Sequence, residues 1–148
     1  MAGKFRILLD VNVVLDVLAK REPHYRTSAQ VWAIVETGIV EGFLAAHSIT
    51  TLYYLLSRHI GTQQAHVALE KILQVFSVAT VDQRVILQAL ALRWPDFEDA
   101  VQMAAAIGAN ADYLITRNPK DFKADFLPVL QPGELLALLR APQPGQSL

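Results

Sequence analysis

The chain has 148 residues, 53% of them hydrophobic, and its 13 basic and 14 acidic side chains give a formal net charge of −1. This length is typical of one domain, and the near-neutral charge excludes nucleic-acid binding by overall positive charge, so any nucleic-acid contact has to be local. The absence of cysteine excludes disulfides and thiolate metal sites and favours a cytoplasmic location, and without a run of roughly 20 apolar residues no membrane span is predicted.

Short apolar runs alternate along the chain with longer segments of helical periodicity. In chain order, the pattern predicts a strand at 5–9, helices at 11–18 and 25–37, a strand at 42–46, helices at 49–58 and 62–75, a strand at 76–80, helices at 82–92 and 95–107, strands at 113–116 and 126–129 separated by a loop at 117–122, and a helix at 132–139. We expect residues 1–140 to form a single domain and residues 141–148 to form a flexible tail.

This alternation predicts an α/β fold with three layers, in which helices cover both faces of a central, mainly parallel sheet. In such folds ligands bind beyond the carboxyl ends of the strands, near the point where the strand order switches. Polar residues follow four of the predicted strands: Asp10, His47 with Ser48, Thr80 to Asp82, and Arg117 with Asn118. The functional site is therefore expected at this edge of the sheet.

Two acidic segments are candidates for that site. Asp10 directly follows the first strand, with Asn12 two residues later, and the helix at 95–107 opens with Asp96 and Asp99 on one face. Asp99 leads a face of small, close-packing residues, so its carboxylate is expected to need a cation or a donor. The alternative is that these acids only cap helices and favour the helix dipole.

The loop after the fourth strand offers further polar groups. Thr116, Asn118 and Asp121 supply oxygen atoms, and Arg117 and Lys120 supply positive charge, with Lys123 close by. An ordinary Asn-Pro turn is the alternative explanation of this segment. Asp and Asn oxygens without His or Cys suit a hard cation, Mg²⁺ or Mn²⁺, which supports attack on a phosphodiester.

The remaining aromatic and polar residues are predicted to have structural roles. Trp32 and Trp94 each lie beside helical apolar positions, so they are expected to pack in the core rather than to stack on bases. Ser48 is expected to cap a helix, although His47 and Ser48 follow a strand and could touch a substrate.

Three segments together resemble the signature blocks of the PIN domain family. They are residues 8–16 (LLDVNVVLD), residues 96–100 (DFEDA), and residues 111–118 (ADYLITRN) with Asp121-Phe122. The resemblance covers about residues 5–130 and implies a metal-dependent ribonuclease that prefers single-stranded RNA, often the VapC-like toxin of a toxin–antitoxin pair. Carried over by position, Asp10 is the first metal-binding acid and Asp99 the central one.

The resemblance also assigns roles to the neighbouring residues. Asp96 lies beside Asp99 as a further catalytic and metal-binding acid, and Asn118 completes the metal site. We predict that four residues contact the RNA substrate: Asn12, Thr116, Arg117 and Lys120. A toxin role implies an antitoxin protein as partner, and the high hydrophobic content is compatible with an antitoxin or with a homodimer.

The sequence departs from the family pattern at two positions. No acid occurs between Glu41 and Glu70, where such domains usually carry a glutamate, and Asn118 stands at a usual acid position. Fewer charges imply weaker metal binding. Three hypotheses therefore stay open: a PIN-like endoribonuclease, a catalytically weakened module that binds RNA or protein, and a domain whose acids only cap helices.

Overall fold

The structure is a computed structural model and describes residues 4–123 and 125–140, so the predicted tail at 141–148 lies outside the described residues. The described residues form five strands: β1 (Arg6–Leu9), β2 (Glu41–Ala45), β3 (Ser77–Ala79), β4 (Tyr113–Ile115) and β5 (Val129–Leu130). They form one sheet in the order β3-β2-β1-β4-β5, and every neighbouring pair is parallel.

Helices connect the strands and cover both faces of the sheet, which confirms the predicted three-layer α/β/α fold. They are α1 (Val11–Leu18), α2 (Tyr25–Glu36), α3 (Ala46–Ile60), α4 (Thr62–Val75), α5 (Gln83–Leu92), α6 (Phe97–Gly108) and α7 (Pro132–Arg140), with a short 3₁₀ helix at Pro119–Asp121. None of the helices in the described part of the chain has the length and apolar character that a membrane span needs.

The alternation of side chains along β1 divides the core between the two faces. Ile7 and Leu9 point into a buried cluster with residues of α1 to α4 and α7, whereas Leu8 points into a second cluster with α5 and α6. Both faces are covered, which explains why β1 is an uninterrupted apolar run.

The sheet order places the switch point between β1 and β4. The chain extends from β1 to β2 and β3 on one side and then crosses to β4 on the other side. Leu9 pairs with Ile115 in the register, and the Asp10 amide donates to the Ile115 carbonyl at 2.9 Å. Asp10 and Thr116 therefore emerge side by side at the carboxyl edge of the sheet.

Two segments differ from the sequence-based prediction. The last strand begins at Val129 rather than at Phe126, whose side chain is exposed. Pro128 has no amide hydrogen to donate to the sheet, although its carbonyl accepts from the Leu114 amide. Helix α3 begins at Ala46, so His47 and Ser48 belong to its first turn rather than to a preceding loop.

Arg6 fastens the end of α6 to the start of β1. Its Nε and Nη2 atoms donate to the Ala109 carbonyl at 3.0 and 2.7 Å. Its Nη1 atom forms an ion pair with Glu41, and its guanidinium lies over the Phe43 ring at 4.6 Å. Because the last carbonyls of a helix lack partners within the helix, Arg6 acts as the C-terminal cap of α6.

Candidate active site

Asp10 lies buried at the carboxyl end of β1, and its carboxylate is held by two neighbours. Its Oδ2 atom accepts from the Thr116 hydroxyl at 2.9 Å, and its Oδ1 atom accepts from the Gln102 amide at 3.4 Å. In the described part of the chain, its side chain makes no capping bond to α1. Capping of α1 therefore does not account for Asp10. A buried carboxylate held in a fixed orientation is, in contrast, well suited to act as a metal ligand.

The acids at the start of α6 have different environments. Asp96 is the exposed N-cap, and its Oδ1 atom accepts from the Asp99 amide at 3.2 Å, so this residue does have the structural role of a cap. Asp99 is half-buried one turn later. Burial, followed by the negative charges of Asp96, Asp10, Asp121 and Glu98, raises the pKa of Asp99 from its ordinary value of 3.8 to about 7.

The carboxylates whose charges raise the pKa of Asp99 come from separate segments of the chain. Asp10 comes from the end of β1, Asp96 and Asp99 from the start of α6, and Asp121 from the 3₁₀ helix after β4. The site thus joins three segments that are distant in sequence. It lies where the parallel sheet switches strand order.

Hydrogen bonds of Thr116 link the loop after β4 to this site. The Thr116 hydroxyl donates to Asp10 and accepts from the Asn118 amide at 3.2 Å. Asn118 is exposed at the start of the 3₁₀ helix. Asp121 is the residue of this loop whose negative charge raises the pKa of Asp99. Asn118 as a metal ligand stays a prediction.

A cavity of ≈ 370 Å³ opens beside these acids. Its lining includes Asp96, Asp99 and Asp121 together with Trp94, Lys120 and Lys123. A larger cavity of ≈ 630 Å³ near Arg6 and the end of α6 is lined by none of these acids. The smaller cavity is therefore the one that belongs to the acidic site.

Three of the residues predicted to bind substrate have protein partners: Thr116, through the bonds described above, and also Arg117 and Asn12. Arg117 Nε lies 3.1 Å from Oδ2 of Asp16, a carboxylate with no solvent exposure. Arg21 Nε lies 3.1 Å from the other oxygen of Asp16. The Nη2 atom of Arg21 donates to the backbone and side-chain oxygens of Asn12 at 3.2 and 3.3 Å.

The Asp16 ion-pair network therefore connects the loop after β4 to the first two helices. Asp16 also accepts from the Ser28 hydroxyl at 3.3 Å, which ties α2 to the same carboxylate. A buried carboxylate is tolerated only when cations and donors surround it. We interpret Arg117 as a residue that positions the active-site loop, while its predicted contact with RNA, like that of Asn12, stays untested.

Helix α3 contributes neutral groups to the same region. Burial lowers the pKa of His47, although the charge of the neighbouring Glu98 opposes the shift. Neither ring nitrogen of His47 has a hydrogen-bond partner among the described residues, and the same holds for the buried Ser48 hydroxyl. The predicted helix cap by Ser48 is therefore not seen. The residues of α3 include no acid, in keeping with the departure noted in the sequence.

The donors of the site fit a hard divalent cation in type and charge. Oxygen atoms are the ligands that Mg²⁺ prefers, and this ion is commonly held by one or two carboxylates with water completing its shell. Among the described residues, no set of three or more His, Cys, Asp or Glu side chains is grouped closely enough to hold a metal by itself. A bound cation would, however, relieve the repulsion between Asp99 and the neighbouring carboxylates.

Sequence reasoning missed two residues of the site. Gln102 is buried and bonds to Asp10; it follows Asp99 by three residues, so the helical spacing places both on one face of α6. Asp16 is the one acid in the mostly apolar helix α1, and a lone acid in such a run indicates a buried ionic partner. Both signals were present in the sequence.

The fold and this edge of the sheet define the class of protein. A family model described as PIN domain matches residues 6–120, and the chain belongs to this family. Among curated proteins, it is similar to Ribonuclease VapC1 of Aquifex aeolicus, with 25% identity over 134 residues that cover 87% of this chain and 92% of the relative.

Solved structures show the same fold at low sequence identity. VapBC-1 of nontypeable Haemophilus influenzae matches with a TM-score of 0.68 and 17% identity, over 87% of this chain and 99% of that chain. VapBC2 of Rickettsia felis, solved with a DNA fragment from its promoter, matches with a TM-score of 0.67 and 18% identity, over 86% and 98% of the two chains. VapC20 of Mycobacterium tuberculosis, described as a toxin that cleaves the sarcin-ricin loop, matches with a TM-score of 0.59 and 21% identity, over 81% and 92%.

Proposed function

We propose that this chain is a Mg²⁺- or Mn²⁺-dependent endoribonuclease that cleaves single-stranded RNA. The observation that carries the proposal is the convergence of Asp10, Asp96, Asp99 and Asp121, which together with burial raises the pKa of Asp99 to about 7. Membership of the PIN domain family supports the same reaction. So does the similarity to Ribonuclease VapC1, whose name states a ribonuclease activity.

Three of these acids have distinct parts in this proposal. When bound, a divalent cation polarises the phosphodiester and lowers the pKa of a bound water. Asp10 and Asp99 would hold the cation, and Thr116 and Gln102 fix the orientation of Asp10, as partners of metal ligands generally do. Asp96 adds negative charge while it also caps α6.

Lys120 and Lys123 give the acidic site its positive rim. Both are exposed, and both line the cavity beside Asp99. A phosphate that approaches four carboxylates is repelled, so these lysines are expected to guide the RNA backbone. Replacing Lys120 by alanine should lower the slope of log affinity against log salt by about 0.7 for single-stranded RNA. Lys71→Ala, on the exposed side of α4, is the matched control and should leave the slope unchanged.

A second candidate function is a weakened PIN domain that binds RNA without cutting it. Two observations favour it: α3 supplies no acid to the site, and Asn118 carries no charge at a position where related domains place an acid. Under this hypothesis the lysines and the cavity still bind RNA. The rate of cleavage with Mn²⁺ would then equal the rate with EDTA.

The deciding experiment is cleavage of single-stranded RNA by the full chain in the presence of Mn²⁺ or EDTA. We expect cleavage by the wild type with Mn²⁺, no cleavage with EDTA, and a loss of at least about 100-fold in Asp99→Asn. Glu70→Gln, an exposed carboxylate of α4, is the control variant and should cleave like the wild type. RNA binding without cleavage in every condition would establish the weakened binding module instead.

We further propose that the protein is a VapC-type toxin with an antitoxin as partner. The solved relatives include toxin–antitoxin complexes, such as one from Klebsiella pneumoniae with 24% identity and a TM-score of 0.66. A groove of ≈ 370 Å³ between α1 and α3 offers mainly apolar surface for such a partner; its lining comprises Leu15, Ala19, Leu55 and Leu56 together with Asn12, Arg21 and His59. A small adjacent reading frame whose product co-purifies with this chain and suppresses RNA cleavage would support the pairing.

Self-association is a separate part of this proposal. Leu87 and Leu90 on α5 are both more than half exposed, and exposed leucines of this kind favour a homodimer. Light scattering of the purified chain should give twice the monomer mass of 16.4 kDa. A mass of one chain at all concentrations would contradict the dimer without affecting the proposed nuclease.

A further inference from the structure

The cavity beside the carboxylates combines three kinds of side chain in one place. It holds an aromatic ring, that of Trp94, as well as acids of the active site and the two lysines. Its volume of ≈ 370 Å³ lies near the lower end of the range of small-molecule sites, about 300 to 1,000 Å³, and suits a unit the size of one nucleotide.

Trp94 is held in a fixed position at the wall of this cavity. It lies in the turn between α5 and α6, directly after Arg93, whose backbone is left-handed with φ of 58°. The rings of Trp94 and Phe122 form a T-shaped pair, with centroids 6.1 Å apart and an angle of 78° between the ring planes. Trp94 packs against the buried cluster beneath α5 and α6, as the sequence predicted, but it is only partly buried, and it also lines the cavity.

We propose that Trp94 is the platform on which a base of the RNA substrate stacks next to the scissile phosphate. The inference deepens the proposed ribonuclease function and rests on it. Stacking on an indole accepts any base, whereas Lys120 and Lys123 receive the adjoining phosphates. Bases in a duplex are already stacked on one another, so this platform selects single-stranded RNA.

The sequence offers a direct way to observe the platform. Trp32 and Trp94 are the two tryptophans of the chain, and Trp32 packs against Phe76 in the cluster on the opposite face of the sheet. In the Trp32→Phe variant, Trp94 is therefore the sole tryptophan fluorophore. A short mixed-sequence single-stranded RNA should quench it in EDTA, and an abasic oligonucleotide of the same length should bind without quenching.

Kinetics of Trp94 variants in Mn²⁺ provide the second test. Trp94→Ala should raise KM for single-stranded RNA about 10- to 100-fold while kcat changes little, because stacking holds the substrate without acting on the reacting bond. Trp94→Phe should recover most of the lost affinity, since a phenyl ring also stacks. The thermal midpoint of each variant serves as the control for folding.

The outcomes separate this inference from the proposed function. Two results would refute the stacking role of Trp94 and leave the proposed ribonuclease function intact. In both, the wild type cleaves RNA. In the first, RNA does not quench Trp94 fluorescence; in the second, Trp94→Ala has the same KM as the wild type. A purely structural Trp94 would change the thermal midpoint and leave KM unchanged. If the wild type neither binds nor cleaves single-stranded RNA, the proposed function fails and the platform fails with it.

Discussion

Replacing Asp99 by asparagine is expected to stabilise the metal-free protein while it abolishes metal binding. Burial and four neighbouring carboxylates raise the pKa of Asp99 from 3.8 to about 7. At 1.36 kcal/mol per pH unit, that difference corresponds to at most about 4 kcal/mol. Because solvent screens the half-exposed side chain, we expect about 1 to 2 kcal/mol.

The pH dependence fixes the sign of this effect. The folded protein keeps the Asp99 proton up to about pH 7, whereas the unfolded chain releases it near its ordinary value of 3.8. The stabilisation from Asp99 is therefore fully present below about pH 4 and is lost as the pH rises through 7. The free energy of unfolding of Asp99→Asn should therefore exceed that of the wild type by an amount that grows between about pH 4 and pH 7 and stays constant at higher pH.

Thermal unfolding in EDTA between pH 4 and pH 8 measures the effect. For a chain of this length, 1 to 2 kcal/mol shifts the midpoint by about 3 to 8 °C. Mn²⁺ at pH 8 should raise the midpoint of the wild type and leave that of Asp99→Asn unchanged. Glu70→Gln should behave as the wild type under every condition. A variant that is less stable than the wild type at pH 8 in EDTA would refute the argument that Asp99 is repelled by its neighbours.

Three further substitutions test the contacts around the site. Thr116→Val removes the hydroxyl that donates to Asp10 and should weaken Mn²⁺ binding about 10-fold, measured by calorimetry. An unchanged affinity would show that Asp10 needs no such partner. Asp16→Asn should cost about 3 kcal/mol in urea unfolding, because Arg117 loses the charge that holds it. Arg6→Ala should cost about 2 kcal/mol in the same assay, through the loss of two bonds to the end of α6, and should leave RNA cleavage intact.

The sequence was sufficient to predict the fold because its local patterns agree with the final structure. Apolar runs with both faces buried, as at Ile7 to Leu9, indicate a parallel sheet. Gly61, with φ of 86°, ends α3 after Ile60, slightly beyond the predicted end of that helix at residue 58. The last strand was misplaced because Phe126 and Leu127 have the apolar character of a strand. Propensity alone did not show that pairing starts only after Pro128.

The sequence predicted where in the fold the site lies, but it did not predict which side chains contact each other there. Strand ends placed Asp10 and Thr116 at one edge, because parallel strands bring their carboxyl ends together. The partner of Arg117 was not predictable in the same way, since Asp16 is about 100 residues away in sequence and only the packing of α1 against the loop brings them together. The same holds for the bond between Gln102 and Asp10.

Calorimetric titration of Mn²⁺ into the wild type and into Asp99→Asn at pH 8 tests the central claim most directly, because it measures the cation site without requiring a known RNA target. The account predicts saturable binding to the wild type and its loss in the variant. Equal binding to both proteins, or no binding to the wild type, would contradict the claim that the converging carboxylates form a metal site.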